Sequence, residues 1–415
     1  LATEGIVTQF ADEAAFLWHL RTSAVNAPHF TLHDLAALDE RLEAHIDGLR
    51  VAGDAGWDVC ENNFGNEFPE VYFAPSVLAI ESGNMTRVEA VLNAIGRNAA
   101  KARALISALG WIPYHQAEPH IQGFLNSRTY FHRYIGIAAC AAHRRDPGKY
   151  LDKSIQDAST LLIARGLRAY GELGKKIKLN QSALRDNLSD EDDGIRFSTA
   201  WSEALAGNMS AVEVLKSFVA PGSPYKEKAL NLALRRMDLA AALSFQKHMA
   251  QSSDTIRLAV IGAGIIGDPV LIPWLIEQMK TPELSRIAGE AFTMISGANI
   301  EQEELRGKRP EVFNAGPSDD PNDDNVAMDA DEYLPWPNVE SISAWWKRNK
   351  GAFQSGARYL LGKPISAEHL RHVLKRGLQR QRSAAALELA IIQPGRPLFE
   401  VRAPGFRQRN EVEGI

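Results

Sequence analysis

A chain of 415 residues that is 45% hydrophobic and 23% charged has the composition of a globular protein with a large core, which excludes intrinsic disorder as its default state. Its formal net charge of -5 supplies no global attraction to a polyanion, so a nucleic-acid role requires a local basic patch. Two cysteines, Cys60 and Cys140, exclude a disulfide framework and fall short of a cysteine-based zinc site; a reducing compartment is the expectation.

The first residues, Leu1 to Gly5, lead to Asp12 and Glu13 before any long apolar run, a pattern without the basic and apolar regions of a signal peptide, and a cytoplasmic location follows as the expectation. Apolar spacing predicts helices over about Thr8 to Leu20 and Leu32 to Leu49. The second opens with Thr31 and Asp34 at capping-box spacing and places Leu35, Leu38, Leu42, Ile46 and Leu49 on one face. From Trp57 to Pro75 the chain is rich in Asn, Gly and Pro and reads as a loop or short irregular elements, so residues 1–75 form an N-terminal helical section.

Residues 76–316 repeat themselves. Helix-ending punctuation recurs at Gly110, Asp146-Pro147, Gly174, Gly207-Asn208, Asp238, Gly267-Asp268-Pro269 and Gly297, at intervals near the length of short helical-pair repeats. An Ala/Leu-rich helix precedes each break, as in Ala104 to Leu109, Thr199 to Ala206 and Ala288 to Ser296, and a second helix follows most breaks, as from Met209 to Val219 and Val270 to Met279. Small residues let helices approach while Leu, Ile, Phe and Trp fill the layer between them. A single pair cannot bury its own apolar face; stacking the pairs yields a solenoid with one continuous core and an extended concave surface. The most apolar stretch, Leu258 to Ile276, is broken by glycines, Asp268 and two prolines and does not read as a membrane span.

The run Arg257-Leu258-Ala259-Val260-Ile261-Gly262 through Gly267-Asp268-Pro269-Val270-Leu271-Ile272-Pro273-Trp274-Leu275 resembles the HEAT-repeat consensus of an Arg-anchored apolar helix, a Gly-Asp-Pro turn and an apolar second helix. The expected fold is therefore all-α, a HEAT-like α-solenoid with flanking helical N- and C-terminal sections.

Residues 317–337 form an acidic, Pro-containing linker, including Asp319-Asp320-Pro321-Asn322-Asp323-Asp324 and then Asp329, Asp331 and Glu332. Residues 338–415 read as a basic C-terminal helical module: Val339 to Asn349 with Trp345-Trp346, a helix started by Ser366, Arg371 to Ile392, and an extended Pro- and Arg-rich tail from Gln393 to Asn410. Taken together, Ala36 to Leu49, Ala288 to Phe292, Trp336-Pro337, Trp345-Trp346, Gly356 to Pro364 and Arg380 to Ala390 resemble a bacterial family of HEAT-repeat proteins associated with type VI secretion. That resemblance spans nearly the whole chain and implies a supporting role, with no catalytic residues to carry over.

Gly262-Ala263-Gly264-Ile265-Ile266-Gly267 is a literal GxGxxG, but Asp268-Pro269 stops the helix that a dinucleotide-binding turn needs to begin, and the surrounding repeats explain the glycines as packing and turn positions. The run from Asp320 to Asp331 imitates a calcium loop without its Gly and Glu. Pro113 and Pro119 place His115, Glu118 and His120 in an expected loop lacking one-face metal geometry. No nucleophile elbow or Walker loop is present, so the reading assigns no catalytic residue, cofactor or metal. The expected function is a non-enzymatic protein-binding scaffold, an adaptor or chaperone for a type VI secretion effector or spike component. Its contact candidates are Trp201, Met209, Trp274, Arg286, Trp345 and Trp346, chosen as aromatic, flexible or guanidinium groups suited to interface anchors. The alternatives are a dinucleotide-dependent enzyme at Gly262 to Gly267 and a nucleic-acid-binding helical repeat that uses Arg371, Lys375 and Arg382.

Overall fold

The computed structural model describes residues 2–311, 313, 315, 316 and 328–414, and these are all-α apart from one two-stranded ribbon. In chain order the helices are α1 (Ala2–Ala24), α2 (Leu32–Ala52), α3 (Asp54–Glu61), α4 (Phe73–Ser82), α5 (Met85–Ile95), α6 (Ala99–Trp111), α7 (Tyr114–Leu125) and α8 (Tyr130–Ala142). Then follow α9 (Lys149–Ser154), α10 (Thr160–Glu172), α11 (Gln181–Leu188), α12 (Asp193–Leu205), α13 (Met209–Ser217), α14 (Lys226–Arg236), α15 (Leu239–Met249), α16 (Ile256–Ile266), α17 (Ile272–Gln278) and α18 (Pro282–Ser296). The last elements are α19 (Val339–Asn349), the ribbon β1 (Tyr359–Leu360) and β2 (Lys363–Pro364), α20 (Ala367–Arg376), α21 (Gln379–Ile392) and α22 (Gly405–Glu413). None of the helices among the described residues is long and apolar enough to cross a membrane.

Local chemistry sets several of these boundaries. The Asp34 N–H donates to the Thr31 hydroxyl at 3.1 Å and the Thr31 N–H donates to the Asp34 carboxylate at 2.9 Å, so α2 begins at its expected capping box. Between Trp57 and Pro75, expected as loop, the aromatic side chains override the turn-forming residues. Trp57 lies in α3, Tyr72 closes a 3-10 turn, and α4 starts at Phe73; Trp57, Tyr72 and Phe73 are all buried, with Phe64 set edge-on to Trp57 and stacked on Tyr72. The segment around His115 is helical too, because burial of Ala117, Ile121, Phe124 and Leu125 outweighs the backbone bond lost at Pro119.

The chain divides into two compact units: unit 1 holds residues 1–211 and 371–415, and unit 2 holds 212–370. This division differs from the expected boundaries. Residue 75 falls inside α4, and one core of buried side chains runs through unit 1 from Val7 to Ile195. The expected C-terminal module is split: α19 and the ribbon belong to unit 2, whereas α21 and α22 return to unit 1, where Leu374, Ala386, Val401 and Val412 bury themselves with Leu32.

Within each unit alternate helices stack as a helical repeat. In unit 1, α4, α6, α8, α10 and α12 pack in succession with α5, α7, α9 and α11 against them; in unit 2, α14, α16 and α18 form the stack, with α15 and α17 alongside. The C-terminal ends of stacked helices lie at one edge, and a strap crosses it in both units, non-helical in unit 2 and running into the first turn of α22 in unit 1. In unit 1, Arg407 donates to the Gly110 carbonyl of α6 at 2.8 Å and to the Ala142 carbonyl of α8 at 2.9 Å, and the Leu398 N–H donates to the Glu172 carbonyl of α10 at 2.9 Å. In unit 2, Arg358 donates to Leu234 and Met237 at the end of α14, at 2.9 and 2.8 Å. The Leu361 N–H donates to Met294 in the last turn of α18 at 2.7 Å. Last-turn carbonyls have no intrahelical partner and sit at the negative end of the helix dipole, so a guanidinium placed there satisfies both.

The GxGxxG glycines belong to this architecture. Gly264 faces Ala291 of α18 so closely that an added Cβ would lie 3.0 Å from its Cα. Gly267 ends α16 at φ +74°, and its carbonyl accepts from the Tyr359 N–H of the strap at 2.9 Å. Bound phosphate needs the positive N-terminal end of a helix; these glycines occupy a helix and its C-terminal cap.

Residues 317–327 of the expected acidic linker, with most of the calcium-loop imitation, lie outside the described residues. The described remainder, 328–337, is packed into unit 2: Asp331 is buried, as is Leu334, and the Gly307 N–H donates to the Trp336 carbonyl at 2.7 Å.

Candidate protein-binding surface

The expected contact residues fall in both units. Trp201 and Met209 lie in unit 1, while Trp274, Arg286, Trp345 and Trp346 lie in unit 2. Trp201 is buried in α12 under the Arg168 guanidinium, whose carbon lies 4.6 Å from the ring centroid, and so is a packing residue rather than a surface contact. Met209, at the start of α13, is exposed. Trp274 is half-buried in the first turn of α17. Trp345 donates its indole N–H to Glu303 at 2.8 Å and sets its face against Phe292, and Trp346 packs on Phe353.

Arg286 is 5% exposed and already engaged, which corrects its assignment as a free contact. Its guanidinium donates to both oxygens of Asp329 at 2.8 and 2.7 Å and to the Asp331 carbonyl at 2.8 Å, with the Trp336 ring 4.6 Å away. Next to it in the stack, Arg257 of α16 grips the Asp331 carboxylate at 2.8 and 2.5 Å. These buried, two-pronged pairs hold segment 328–337 across α16 and α18.

Several of the basic C-terminal residues are engaged within unit 1. Arg382, in α21, is fully buried; it donates to the Leu374 carbonyl at 2.7 Å and to Gln408 at 2.6 Å, and burial pushes its guanidinium down to about 10. Arg402 pairs with buried Glu400, and Arg409 with Glu40. A nucleic-acid face along α20 and α21 thus loses Arg382, which points into the core rather than outward.

Beside Arg407 of the strap, His143 donates from Nε2 to the Leu109 carbonyl at 2.7 Å and accepts at Nδ1 from Arg407 at 3.0 Å, a pattern that requires the neutral ring. Burial, reinforced by Arg407 and Arg145, pushes it from 6.5 down to about 4. Because the unfolded state takes up the proton first, stability is lost as pH falls from about 6.5 toward 4. Urea denaturation at pH 7 and pH 5 is expected to show a loss of about 2 kcal/mol from this group. In His143→Gln, whose amide replaces the Nε2–H donor without titrating, that increment is absent; an equal loss in both chains refutes the assignment.

One surface row was not among the expected contacts. Arg103 of α6, Tyr134 of α8 and Arg165 of α10 lie on successive stacked helices of unit 1, each 31 positions after the one before. That constant interval is the sequence signal that marks them. Arg103 is exposed and makes no ion pair among the described residues. Tyr134 is half-buried and stacks on Phe131; burial pushes its hydroxyl up while Arg165 and Arg103, close enough to act on it, pull it back. Arg165 donates through Nη2 to Glu172 at 2.6 Å, whereas its Nη1 is buried without a hydrogen-bond partner among the described residues. Arg168 shares the same carboxylate at 3.1 Å. Burial alone would raise Glu172, but Arg165, Arg168 and Arg144 outweigh it and hold it down at about 2. Arg165 and Arg168 therefore share one carboxylate while Arg103 has none among the described residues, which leaves surplus positive charge beside Tyr134. No group of three His, Cys, Asp or Glu side chains able to hold a metal occurs among the described residues, and the two cysteines are buried with thiols pushed up to about 12.

The chain matches no known protein-family pattern, and no curated protein is similar to it.

Proposed function

We propose that this chain is a non-enzymatic protein-binding scaffold of the HEAT-repeat kind, serving as an adaptor or chaperone for a type VI secretion effector or spike component. The observation that carries the binding role is the Arg103–Tyr134–Arg165 row: repeated positions of one helical stack combine an exposed cation with no ion pair among the described residues, a half-buried ring and a guanidinium that shares its one carboxylate with a second arginine. Arginine and tyrosine are the residue types that dominate protein interfaces, because each offers broad contact area with directional hydrogen bonding. The secretion context rests on the sequence resemblance alone.

Affinity purification of the tagged chain from its native host, with identification of co-purifying products of neighbouring secretion genes, tests the reading. Recovery of an effector or spike component that a chain with Arg103→Glu retains less well supports it. Repeated purifications yielding no such component count against the adaptor role.

A further inference from the structure

We infer that the Arg103–Tyr134–Arg165 row receives an extended acidic segment of a partner protein, with an aromatic side chain set between its carboxylates. The inference rests on the scaffold reading and names the ligand chemistry of the same row.

The template is inside the chain. In unit 2 two neighbouring stacked helices each present an arginine, and segment 328–337 lies across them with Asp331 on Arg257, Asp329 on Arg286 and Trp336 against the Arg286 guanidinium. The two aspartates are two residues apart, about 7 Å in extended chain, which suits the 8–10 Å between packed helix axes. Arg103 and Tyr134 are the fifth residues of α6 and α8, as Arg286 is of α18. Unit 1 thus repeats the guanidinium-bearing stack without the carboxylates: Arg103 has none, and Arg165 and Arg168 divide Glu172. Two carboxylates from outside would neutralise Arg103 and the positive charge that Arg165 and Arg168 leave unmatched on Glu172. Tyr134, half-buried between them on Phe131, would pack against an aromatic residue of the ligand. From α6 to α10 is about 16–20 Å, or about six residues of extended chain, so the matching ligand carries acidic residues at both ends of such a stretch. A nucleic acid shares the negative charge, but the chain's net charge of -5 gives no long-range pull, and the precedent in unit 2 is a peptide.

The test uses the full chain and a fluorescein-labelled peptide, Asp-Asp-Ala-Trp-Ala-Asp-Asp, followed by anisotropy at low and moderate salt. Saturable binding is expected, weakened about tenfold or more by Arg103→Glu and by Asn in place of the four Asp residues, and weakened several-fold by Ala in place of Trp. Because Arg103 is exposed and unpaired, the variant is expected to keep the wild-type circular dichroism and melting temperature. Absence of saturation, or equal binding by Arg103→Glu, overturns the inference. So does a single-stranded oligonucleotide that binds more tightly than the peptide and is lost in the same variant. A secretion component that co-purifies undiminished with Arg103→Glu also overturns it, while leaving the scaffold reading standing.

Discussion

A chain cut after Ile392 is expected to lose the cooperative folding of unit 1. The missing segment supplies Val401, Ala403 and Val412 to buried positions, and each buried valine contributes about 1.5–3 kcal/mol. It also supplies polar partners that nothing else replaces. Asp39, fully buried and pushed up by burial, accepts from the Gly405 N–H at 2.6 Å as well as from Arg21. Arg144 loses Glu400 and the Leu398 carbonyl, Arg382 loses Gln408, and the ends of α6 and α8 lose Arg407. Leaving a buried donor, acceptor or charge unpaired costs about 1–3 kcal/mol each, so five such losses with the apolar term equal or exceed the ~5–15 kcal/mol that holds a typical domain folded. Hydrogen exchange on the truncated chain checks this: amides of α2, α6 and α8 should exchange as in an unfolded segment. Protection of those helices at the full-length level would show that the strap rests on unit 1 without holding it together.

Features governed by neighbouring residues were legible in the sequence, and those governed by distant partners were not. The capping box at Thr31 and Asp34, the helix ending at Gly267 and the alternation of helices with punctuation all arise within a few residues, and the structure places them as the spacing predicts. The Pro- and Arg-rich stretch from Gln393 to Asn410 reads as an extended tail because its composition is that of solvated chain. From Gly405 it is instead the helix α22, and Arg407 is an anchor whose acceptors, Gly110 and Ala142, lie about 300 residues away, where no local rule reaches. Asp329 and Asp331 mislead for the same reason: in isolation two aspartates mark a solvated linker, and only Arg257 and Arg286 turn them into buried ligands. Of the expected contacts, Trp201 and Arg286 are buried. A tryptophan in a small-residue helix is as readily a packing element as an interface anchor, whereas Arg103, Tyr134 and Arg165 look ordinary until the 31-residue interval is counted.

The acidic clasp of unit 2 makes the second large prediction, which also separates charge pairing from simple packing. Asp329→Ala removes both acceptors of the Arg286 Nη2 and the oxygen that accepts from the Asp331 N–H at 3.0 Å. Arg286 is 5% exposed, so its charge would remain in the interior with only the Asp331 carbonyl and the two rings of Trp336 and Phe313 for company. Stranding a buried charge in this way costs about 3–5 kcal/mol, more than the pair is worth relative to an apolar replacement. Asp329→Ala is therefore expected to destabilise unit 2 by that amount and to release segment 328–337, seen as faster exchange from Met328 to Asn338. Arg286→Met in the same chain removes the stranded charge and keeps a long side chain against Trp336, so the double variant is expected to recover about half of the loss or more. A double variant as unstable as the sum of the two single ones would mean that the carboxylate and the guanidinium act independently. Segment 328–337 would then be held by its apolar residues, and its value as a template for acidic ligands in unit 1 would fall with it.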